Sequence, residues 1–255
     1  NLIDTICLKA GTLTLGNGSI LNLSTNSNIK VDDGSLAISG GVFMGTNVYN
    51  IMYVGSSKTT GIEWNGTGAT NAYVMLSSAS QSLTLAGDMT VNGTLHHNMG
   101  TLRLNGNMLT LNGDYMSMNN AAIAGSQTSD LMMHSTGSLS SDMMFASGAQ
   151  TLNDLHINTA STSNMANIAS DLTIYGELML EKGKVNMTNN STIKMNTGST
   201  ITQDAGSLTL ASGSSFNGTS SYNVHYVGNN KVGGVELTGS GLNNLDVDLT
   251  SYAYD

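Results

Sequence analysis

The chain has 255 residues and a formal net charge of −9, with 10 % charged residues, 5 % aromatic residues and no proline. Its eight Lys and Arg residues do not cluster, and the acidic balance is unfavourable to anionic surfaces, so the composition argues against nucleic acid as a partner and against membrane-surface binding. No apolar run approaches the roughly 18 residues of a membrane helix, so we expect no membrane insertion.

Short segments that alternate apolar and polar residues begin at positions 12, 20, 28 and 35. A second series begins at positions 184, 192, 200 and 207, so each start lies 172 residues (184 minus 12) after its counterpart. Between the segments lie Gly, Asn, Asp and Ser, which favour turns. Period-two alternation predicts strands, and helix start and stop signals are missing.

The similarity continues beyond these two series and predicts a modular chain. Tyr49–Gly55 matches Tyr222–Gly228 at an offset of 173 (222 minus 49), and weaker matches recur at offsets of 83 to 90. We therefore divide the chain into the tail of one module (1–48), two full modules (49–131 and 132–221) and the head of a further module (222–255). The truncated first and last modules suggest a fragment of a longer array.

Three strands of this spacing make a coil of about 23 residues with apolar residues on its inner side. The sequence therefore predicts an all-β fold, a right-handed parallel β-helix (β-solenoid) of roughly 11 coils that forms one continuous rod. The inner side chains expected from the first series are apolar in every case: Leu13, Leu15, Leu21, Leu23, Ile29, Val31, Leu36 and Ile38.

Two stretches, Ser82–Leu95 and Gly100–Asp114, repeat variants of a Leu-Thr-Leu-Asn-Gly pattern, and Gln150–Ile157 reads Gln-Thr-Leu-Asn-Asp-Leu-His-Ile. These segments resemble the repetitive β-solenoid regions of very large Bacteroidetes cell-surface proteins. The resemblance implies export through a type IX secretion system, extracellular display, and a role in adhesion, gliding or filament formation. It supplies no catalytic motif.

The candidate metal ligands do not form a convincing pattern, so we predict no metal and no cofactor. His96 and His97 are neighbours on a predicted strand and must face opposite sides. The pairs Met132-Met133 and Met143-Met144 suggest a soft-metal site, but the interpretation we favour is that flexible methionines fill gaps in the core, with one residue of each pair facing inward.

Other isolated residues also have ordinary structural interpretations. Cys7 lies between Ile6 and Leu8, and we expect a small buried hydrophobe rather than an interchain disulfide. Asp246 and Asp248 share one strand face. Two functional interpretations are a catalytic acid/base pair and the edge of a calcium site. The interpretation we favour is that both carboxylates are solvated on the surface.

Aromatic residues cluster at two equivalent places and are the best candidates for a ligand surface. Tyr49, Tyr53 and Trp64 lie at the head of one module, and Tyr222 and Tyr226 recur at the head of another. Exposed rings at these positions would stack on sugars, whereas their recurrence also suits structural packing at the module junction.

The sequence thus predicts a structural segment of a long extracellular protein or filament that acts as a stiff spacer or adhesive stalk without enzymatic activity. Its expected partners are adjacent modules of the same chain, laterally associated copies, or cell-surface and environmental glycans. A polysaccharide-binding or polysaccharide-degrading β-helix is the first alternative. An ice-binding solenoid with Thr12, Thr14, Thr200 and Thr202 on a flat face is the second.

Overall fold

The computed structural model describes residues 4–64 and 68–249. The fold is all-β with 2 % helix, and its parallel strands stack as a β-solenoid of about 11 turns with about 22 residues in each turn. This confirms the fold class predicted from the sequence. The turn is slightly shorter than the predicted 23 residues because some coils have shorter connections: the Asn112–Asn92 contact joins residues 20 apart, and the Thr12–Ser35 contact joins residues 23 apart.

Within the described residues the chain forms twenty-three strands and two short 3-10 helices, joined by turns and loops. The helices are Ile62–Trp64 and Val235–Leu237. The strands in chain order are β1 (Thr5–Leu15), β2 (Ile20–Asn22), β3 (Ser27–Ile38), β4 (Val42–Met44), β5 (Tyr49–Gly55), β6 (Lys58–Thr59), β7 (Ala69–Leu76), β8 (Ser82–Thr84), β9 (Met89–Val91), β10 (Leu95–Arg103), β11 (Met108–Leu111), β12 (Tyr115–Ala124), β13 (Asp130–Met133), β14 (Thr151–Leu152), β15 (Leu155–Asn158), β16 (Met165–Ile168), β17 (Leu172–Ile174), β18 (Glu177–Met187), β19 (Thr192–Met195), β20 (Thr200–Leu210), β21 (Ser215–Asn217), β22 (Tyr222–Gly228) and β23 (Leu242–Leu249).

The strands form two long sheets and two short ones. The eight-stranded sheet has the order β1-β3-β5-β7-β10-β8-β6, with β12 also paired to β10. The nine-stranded sheet has the order β23-β22-β20-β18-β15-β13-β11-β9, with β16 also paired to β18. The four-stranded sheet is β14-β17-β19-β21, and β2 pairs with β4. Each sheet therefore runs along the solenoid, since neighbouring strands belong to successive coils.

The core consists of equivalent apolar side chains stacked from coil to coil. In the nine-stranded sheet Leu109 pairs with Leu131, Leu131 with Leu155, and Leu155 with Leu178, all fully buried. Ile201 and Val224 continue this row, and Met89 precedes it. Each buried Leu or Ile contributes about 1.5–3 kcal/mol relative to exposure, so the alternation in the sequence translates directly into a continuous dry core.

Polar side chains on the outer face form rows of their own. The Asn50 Nδ2 donates to Asn28 Oδ1 at 3.0 Å, and the Asn71 Nδ2 donates to Asn50 Oδ1 at 2.9 Å. A second row joins Asn186 Nδ2 to Asn167 Oδ1 at 3.0 Å. Stacked amides of this kind add side-chain hydrogen bonds in the same direction as the backbone ladder.

Three sequence expectations for the first coils are wrong. Cys7 is exposed, because its neighbour Leu8 points inward and Cys7 therefore faces outward beside Lys30. Leu13 and Ile38 point to the inner side but remain 43 % and 46 % exposed. Leu13 lies on β1, which among the described strands pairs only with β3. β5 pairs with β3 only as far as Val31, so Ile38 has a paired neighbour on the β1 side, Leu15, and none on β5.

Gly125 is expected to be essential to the spacing of two coils. A Cβ atom there would lie 2.0 Å from the backbone oxygen of Thr151. We expect Gly125→Ala to lower the free energy of unfolding by about 1–3 kcal/mol, since the neighbouring backbone must shift. The matched control is Gly87→Ala, where no atom lies within 4 Å of the added carbon. Urea denaturation followed by circular dichroism measures both, and equal stabilities would contradict the close approach.

Candidate functional site

The most distinctive internal feature is a buried cluster formed by Tyr49, Tyr53 and Glu63, here called the first tyrosine–glutamate cluster. The Tyr49 hydroxyl donates to the Glu63 backbone oxygen at 2.8 Å, and the Tyr53 hydroxyl donates to Glu63 Oε1 at 2.8 Å. The Gly61 backbone N–H donates to the same Oε1 at 2.7 Å. Glu63 is only 2 % exposed, and both tyrosines are fully buried.

A second tyrosine–glutamate cluster, formed by Tyr222, Tyr226 and Glu236, repeats this arrangement. The Tyr222 hydroxyl donates to the Glu236 backbone oxygen at 2.7 Å, the Tyr226 hydroxyl donates to Glu236 Oε1, and the Gly234 N–H donates to Oε1 at 2.7 Å. Glu236 is 1 % exposed. The two clusters therefore share their donors, acceptors and burial.

Each cluster attaches a loop to the interior of the solenoid. The glutamate lies on the short 3-10 helix of the loop that follows β5 or β22, and the tyrosines lie on those strands. A buried carboxylate is costly unless several donors satisfy it. In each cluster two hydrogen bonds reach the carboxylate Oε1, and the third reaches the backbone oxygen of the same glutamate, so together they fix the loop against the sheet.

A lysine beside each cluster makes a second repeated contact. The Lys58 Nζ donates to the backbone oxygens of Asp32 and Val54. The Lys231 Nζ donates to the backbone oxygen of Asp204 and to its Oδ1 at 3.1 Å. These contacts bridge one coil to the next, and burial lowers the pKa of Lys58, partly offset by the nearby aspartates.

A positive-φ glycine makes room for each lysine–aspartate contact. Gly55 and Gly228 both have φ of 79°. A Cβ atom at Gly55 would lie 2.4 Å from Asp32 Oδ1, and one at Gly228 would lie 2.3 Å from Asp204 Oδ1. Both the backbone conformation and the available space therefore favour glycine at these two positions.

The interpretation of the module-head tyrosines as surface aromatics is wrong. Tyr49, Tyr53, Tyr222 and Tyr226 are 0–4 % exposed, because they occupy the inward positions of β5 and β22. Their recurrence therefore reflects packing at equivalent coils. Trp64 is half-buried against the core and lines a cavity of about 270 Å³ together with Thr60, Ile62 and Asp88.

The two neighbouring histidines face opposite sides, as predicted. His97 is fully buried, with Nε2 3.0 Å from the Gly100 backbone oxygen and Nδ1 3.3 Å from the Tyr115 hydroxyl. Burial lowers the pKa of His97 to about 4. His96 faces outward and stacks on Tyr73, with ring centroids 4.4 Å apart.

In each methionine pair one side chain faces the core and the other faces outward. Met133 and Met143 point inward and are fully buried, and Met144 is 40 % exposed. Met132 lies on the outer face of β13, half-buried. The prediction that each pair places one methionine in the core is confirmed.

The remaining predicted positions lie on the outer surface. Asp246 and its strand neighbours on β23 are exposed, and the Asp246 Oδ2 lies 3.8 Å from His225 Nε2. Thr12 pairs with Ser35 in the adjacent strand and Thr14 pairs with Ala37, so the threonines of β1 do not continue as threonines in the next coil.

Within residues 4–64 and 68–249 no group of three or more His, Cys, Asp or Glu residues is arranged to hold a metal ion. Nor do these residues include a helix that is long and apolar enough to cross a membrane. Comparison with protein-family models, with curated proteins and with solved structures finds no match to the chain.

Alkaline pH is expected to weaken the tyrosine–glutamate clusters. Burial, reinforced by the neighbouring glutamate, raises the pKa of Tyr53 and of Tyr226 above the ordinary value of 10.0. A pKa that is higher in the folded chain gives stability that is complete below pH 10 and is lost as the pH rises through the folded value. The free energy of unfolding should therefore fall above about pH 10.

The double variant Tyr53→Phe/Tyr226→Phe should be less stable at pH 8, by about 1.5–3 kcal/mol for each lost hydrogen bond to a carboxylate. Its free energy of unfolding should also fall less steeply above pH 10 than that of the parent chain. Urea denaturation between pH 8 and pH 11 measures both effects. Tyr73→Phe, on the outer face, is the matched control. An unchanged alkaline slope in the double variant would contradict the assignment.

Acid is expected to act through His97. Because burial lowers its pKa from 6.5 to about 4, the unfolded chain binds the proton first, and stability is lost as the pH falls from 6.5 towards 4. In the His97→Leu variant the free energy of unfolding should depend less on pH over this range than in the parent chain. The variant should also be less stable at pH 7, because the Gly100 backbone oxygen and the Tyr115 hydroxyl lose a hydrogen-bond partner. His225→Gln serves as a control with a surface histidine.

Proposed function

We propose that this chain is a structural segment of a long extracellular repetitive surface protein or filament, acting as a stiff spacer or adhesive stalk. The observation that carries the proposal is the unbroken path from β9 to β23 in the nine-stranded sheet. Every strand on this path pairs with its equivalent in the next coil, so bending the rod requires distorting backbone hydrogen bonds along one side. The proposal assigns the chain no catalytic step.

The repeated buried clusters support this function. Two sets of buried carboxylates and tyrosines, together with two lysine–aspartate contacts, secure the loops after β5 and β22 to the solenoid at equivalent places. The tyrosine and glutamate side chains point into the solenoid, where they hold the loops in place. A spacer benefits from such loops because each firmly bound connection removes a site where the rod would bend or be cleaved.

Adjacent modules of the same long chain are the partners we propose first. On β23 the apolar side chains Leu245, Val247 and Leu249 are 51 %, 53 % and 43 % exposed. The first two pair with Val224 and Tyr226, which are buried at the same positions one coil earlier. These exposed apolar side chains support the addition of a further coil to β23, which among the described strands pairs only with β22. Lateral association of copies would use the same physical features.

The extracellular location rests on the sequence resemblance. The Ser82–Leu95, Gly100–Asp114 and Gln150–Ile157 segments are similar to repeats of Bacteroidetes cell-surface proteins, which supports display on the cell surface after type IX secretion. Detection of the chain on intact cells by a specific antibody, with loss of the signal after external protease, is the expected result. A signal found only after lysis would contradict this location.

Glycan binding at Trp64 is a second candidate function, because the ring lines an open cavity beside Asp88. The equivalent position in the second copy is Leu237, so the aromatic ring is specific to one junction. An adhesive stalk would bind members of a glycan array and lose binding in Trp64→Ala. The parent chain and the control Leu237→Ala should bind equally.

The stiffness of the spacer is directly measurable. Thr90 on β9 and Asp246 on β23 lie on the outer face at the two ends of the nine-stranded sheet, seven strand steps apart. At about 4.8 Å a step, we expect about 34 Å between their backbones. Spin labels on Thr90→Cys/Asp246→Cys in a Cys7→Ser background should give one narrow distance distribution near this value.

The same measurement should be repeated in moderate urea, below the unfolding transition, where a rigid rod keeps its narrow distribution. A broad distribution, or a mean far from the expected value, would contradict the spacer. Turnover of a polysaccharide by the purified chain, abolished by Asp246→Asn, would instead support the enzymatic alternative.

A further inference from the structure

An outward-facing row on the nine-stranded sheet brings two methionines and a histidine together. Met132 on β13 pairs with His156 on β15, and His156 pairs with Met179 on β18. Adjacent strands lie about 4.8 Å apart, so the two thioethers flank the imidazole on either side along the rod. The three residues belong to three successive coils and are far apart in the sequence.

These side chains line a common cavity of about 150 Å³, which Met108 and Leu155 also line. Met132, His156 and Met179 are half-buried, so they are neither part of the core nor freely solvated. Methionine side chains have three rotatable bonds, which allow both sulfur atoms to lean towards the histidine between them. The cavity thus places two thioethers and one imidazole around one small space.

The histidine is oriented by a carboxylate. His156 Nε2 lies 2.9 Å from Glu181 Oε2, and a neutral imidazole that donates this hydrogen bond leaves the lone pair of Nδ1 available. Histidines that bind metals commonly donate their other ring N–H to a carboxylate in this way. A second imidazole, His134, stands edge-on to His156 with ring centroids 5.6 Å apart.

Three carboxylates on the cavity wall supply negative charge while serving as turn caps. Asp130 Oδ1 accepts the Asp154 backbone N–H at 3.1 Å, and Asp154 Oδ1 accepts the Glu177 backbone N–H at 2.6 Å. Glu177 Oε1 accepts the Thr202 hydroxyl. One oxygen of each carboxylate is engaged in this way, and among the described residues the carboxylates and histidines are not arranged as a metal-holding group. The candidate ligands for an ion are therefore the thioethers and the imidazole, while the carboxylates favour a cation in the cavity.

The donor set selects the type of cation. Thioethers are soft ligands that suit Cu(I), whereas Mg²⁺ and Ca²⁺ require oxygen ligands. We propose that this cavity is a binding site for one Cu(I) ion, coordinated by Met132 Sδ, His156 Nδ1 and Met179 Sδ, with Glu181 as the positioning residue. The site is independent of the spacer function, because it occupies the outer face and leaves the core stacking unchanged.

The test is a Cu(I) titration of the purified chain under anaerobic, reducing conditions, in competition with a chromophoric Cu(I) chelator. The Cys7→Ser background is necessary, because Cys7 is an exposed thiol and thiolates are soft ligands that would compete for Cu(I). In this background we expect one Cu(I) per chain. Failure of the Cys7→Ser chain to compete with the chelator would overturn the proposal.

Variants of the cavity residues locate the site. Met132→Leu, Met179→Leu and His156→Gln should each weaken binding by at least about tenfold, and Glu181→Gln by about 10–100-fold. Met→Leu conserves volume, and these positions face outward, so circular dichroism and thermal melting should match those of the parent. Met144→Leu, an exposed methionine outside this cavity, is the matched control and should bind as the parent does.

Spectroscopy distinguishes this site from binding elsewhere on the chain. X-ray absorption of the Cu(I)-loaded Cys7→Ser chain should show mixed sulfur and nitrogen coordination. The methyl resonances of Met132 and Met179 should shift on addition of Ag(I), a soft diamagnetic substitute. Coordination by nitrogen and oxygen alone, or equal affinity in Met132→Leu, Met179→Leu and Met144→Leu, would overturn the assignment.

Discussion

The structure depends on one constraint: each inward side chain must stack on its equivalent in the next coil while the backbone between them stays hydrogen-bonded in parallel register. The row from Met89 through Leu109, Leu131 and Leu155 shows the result, with every member buried. A shift of one residue in any coil would turn its apolar side chains outward. The period-two pattern and the coil length must therefore be maintained together along the whole rod.

Longer connections create a difficulty for such a rod, because their backbone polar groups need partners. The tyrosine–glutamate clusters solve this at two equivalent coils by bringing a carboxylate into the interior, where its Oε1 accepts one tyrosine hydroxyl and one glycine backbone N–H. The same solution recurs where the sequence repeats. The loop and its attachment therefore repeat together.

The outer face has more freedom, because its side chains affect stability less than those of the core. Most outer rows contain Thr, Asn and Ser, including the linked Asn28, Asn50 and Asn71. The row that contains Met132, His156 and Met179 differs, since soft donors replace hydroxyls and amides and a cavity lies between them. A solenoid places equivalent positions about 4.8 Å apart, so three residues are enough to build a small-ion site without altering the fold.

The sequence by itself determined the fold class, the opposite faces of His96 and His97, and the inward orientation of one methionine in each pair. All of these follow from the local alternation of side chains along a strand, which is a property of neighbouring residues. Sequence reasoning also identified the recurrence of Tyr49 and Tyr222, although it could not distinguish an exposed ring from a buried one, because a tyrosine suits either environment.

Only the tertiary structure decided which residues of different coils meet. The acceptor for Tyr53 is Glu63 on a folded-back loop, and Met132 meets His156 and Met179 only because three coils stack in a particular register. Cys7 and Ile38 are exposed for the same kind of reason, since exposure depends on strand phase and on how far the neighbouring strand extends. The spacing between paired residues of successive coils varies from 19 (Ser82 to Thr101) to 25 (Lys58 to Leu83) and cannot be read from periodicity alone. Small errors in register change every contact between coils.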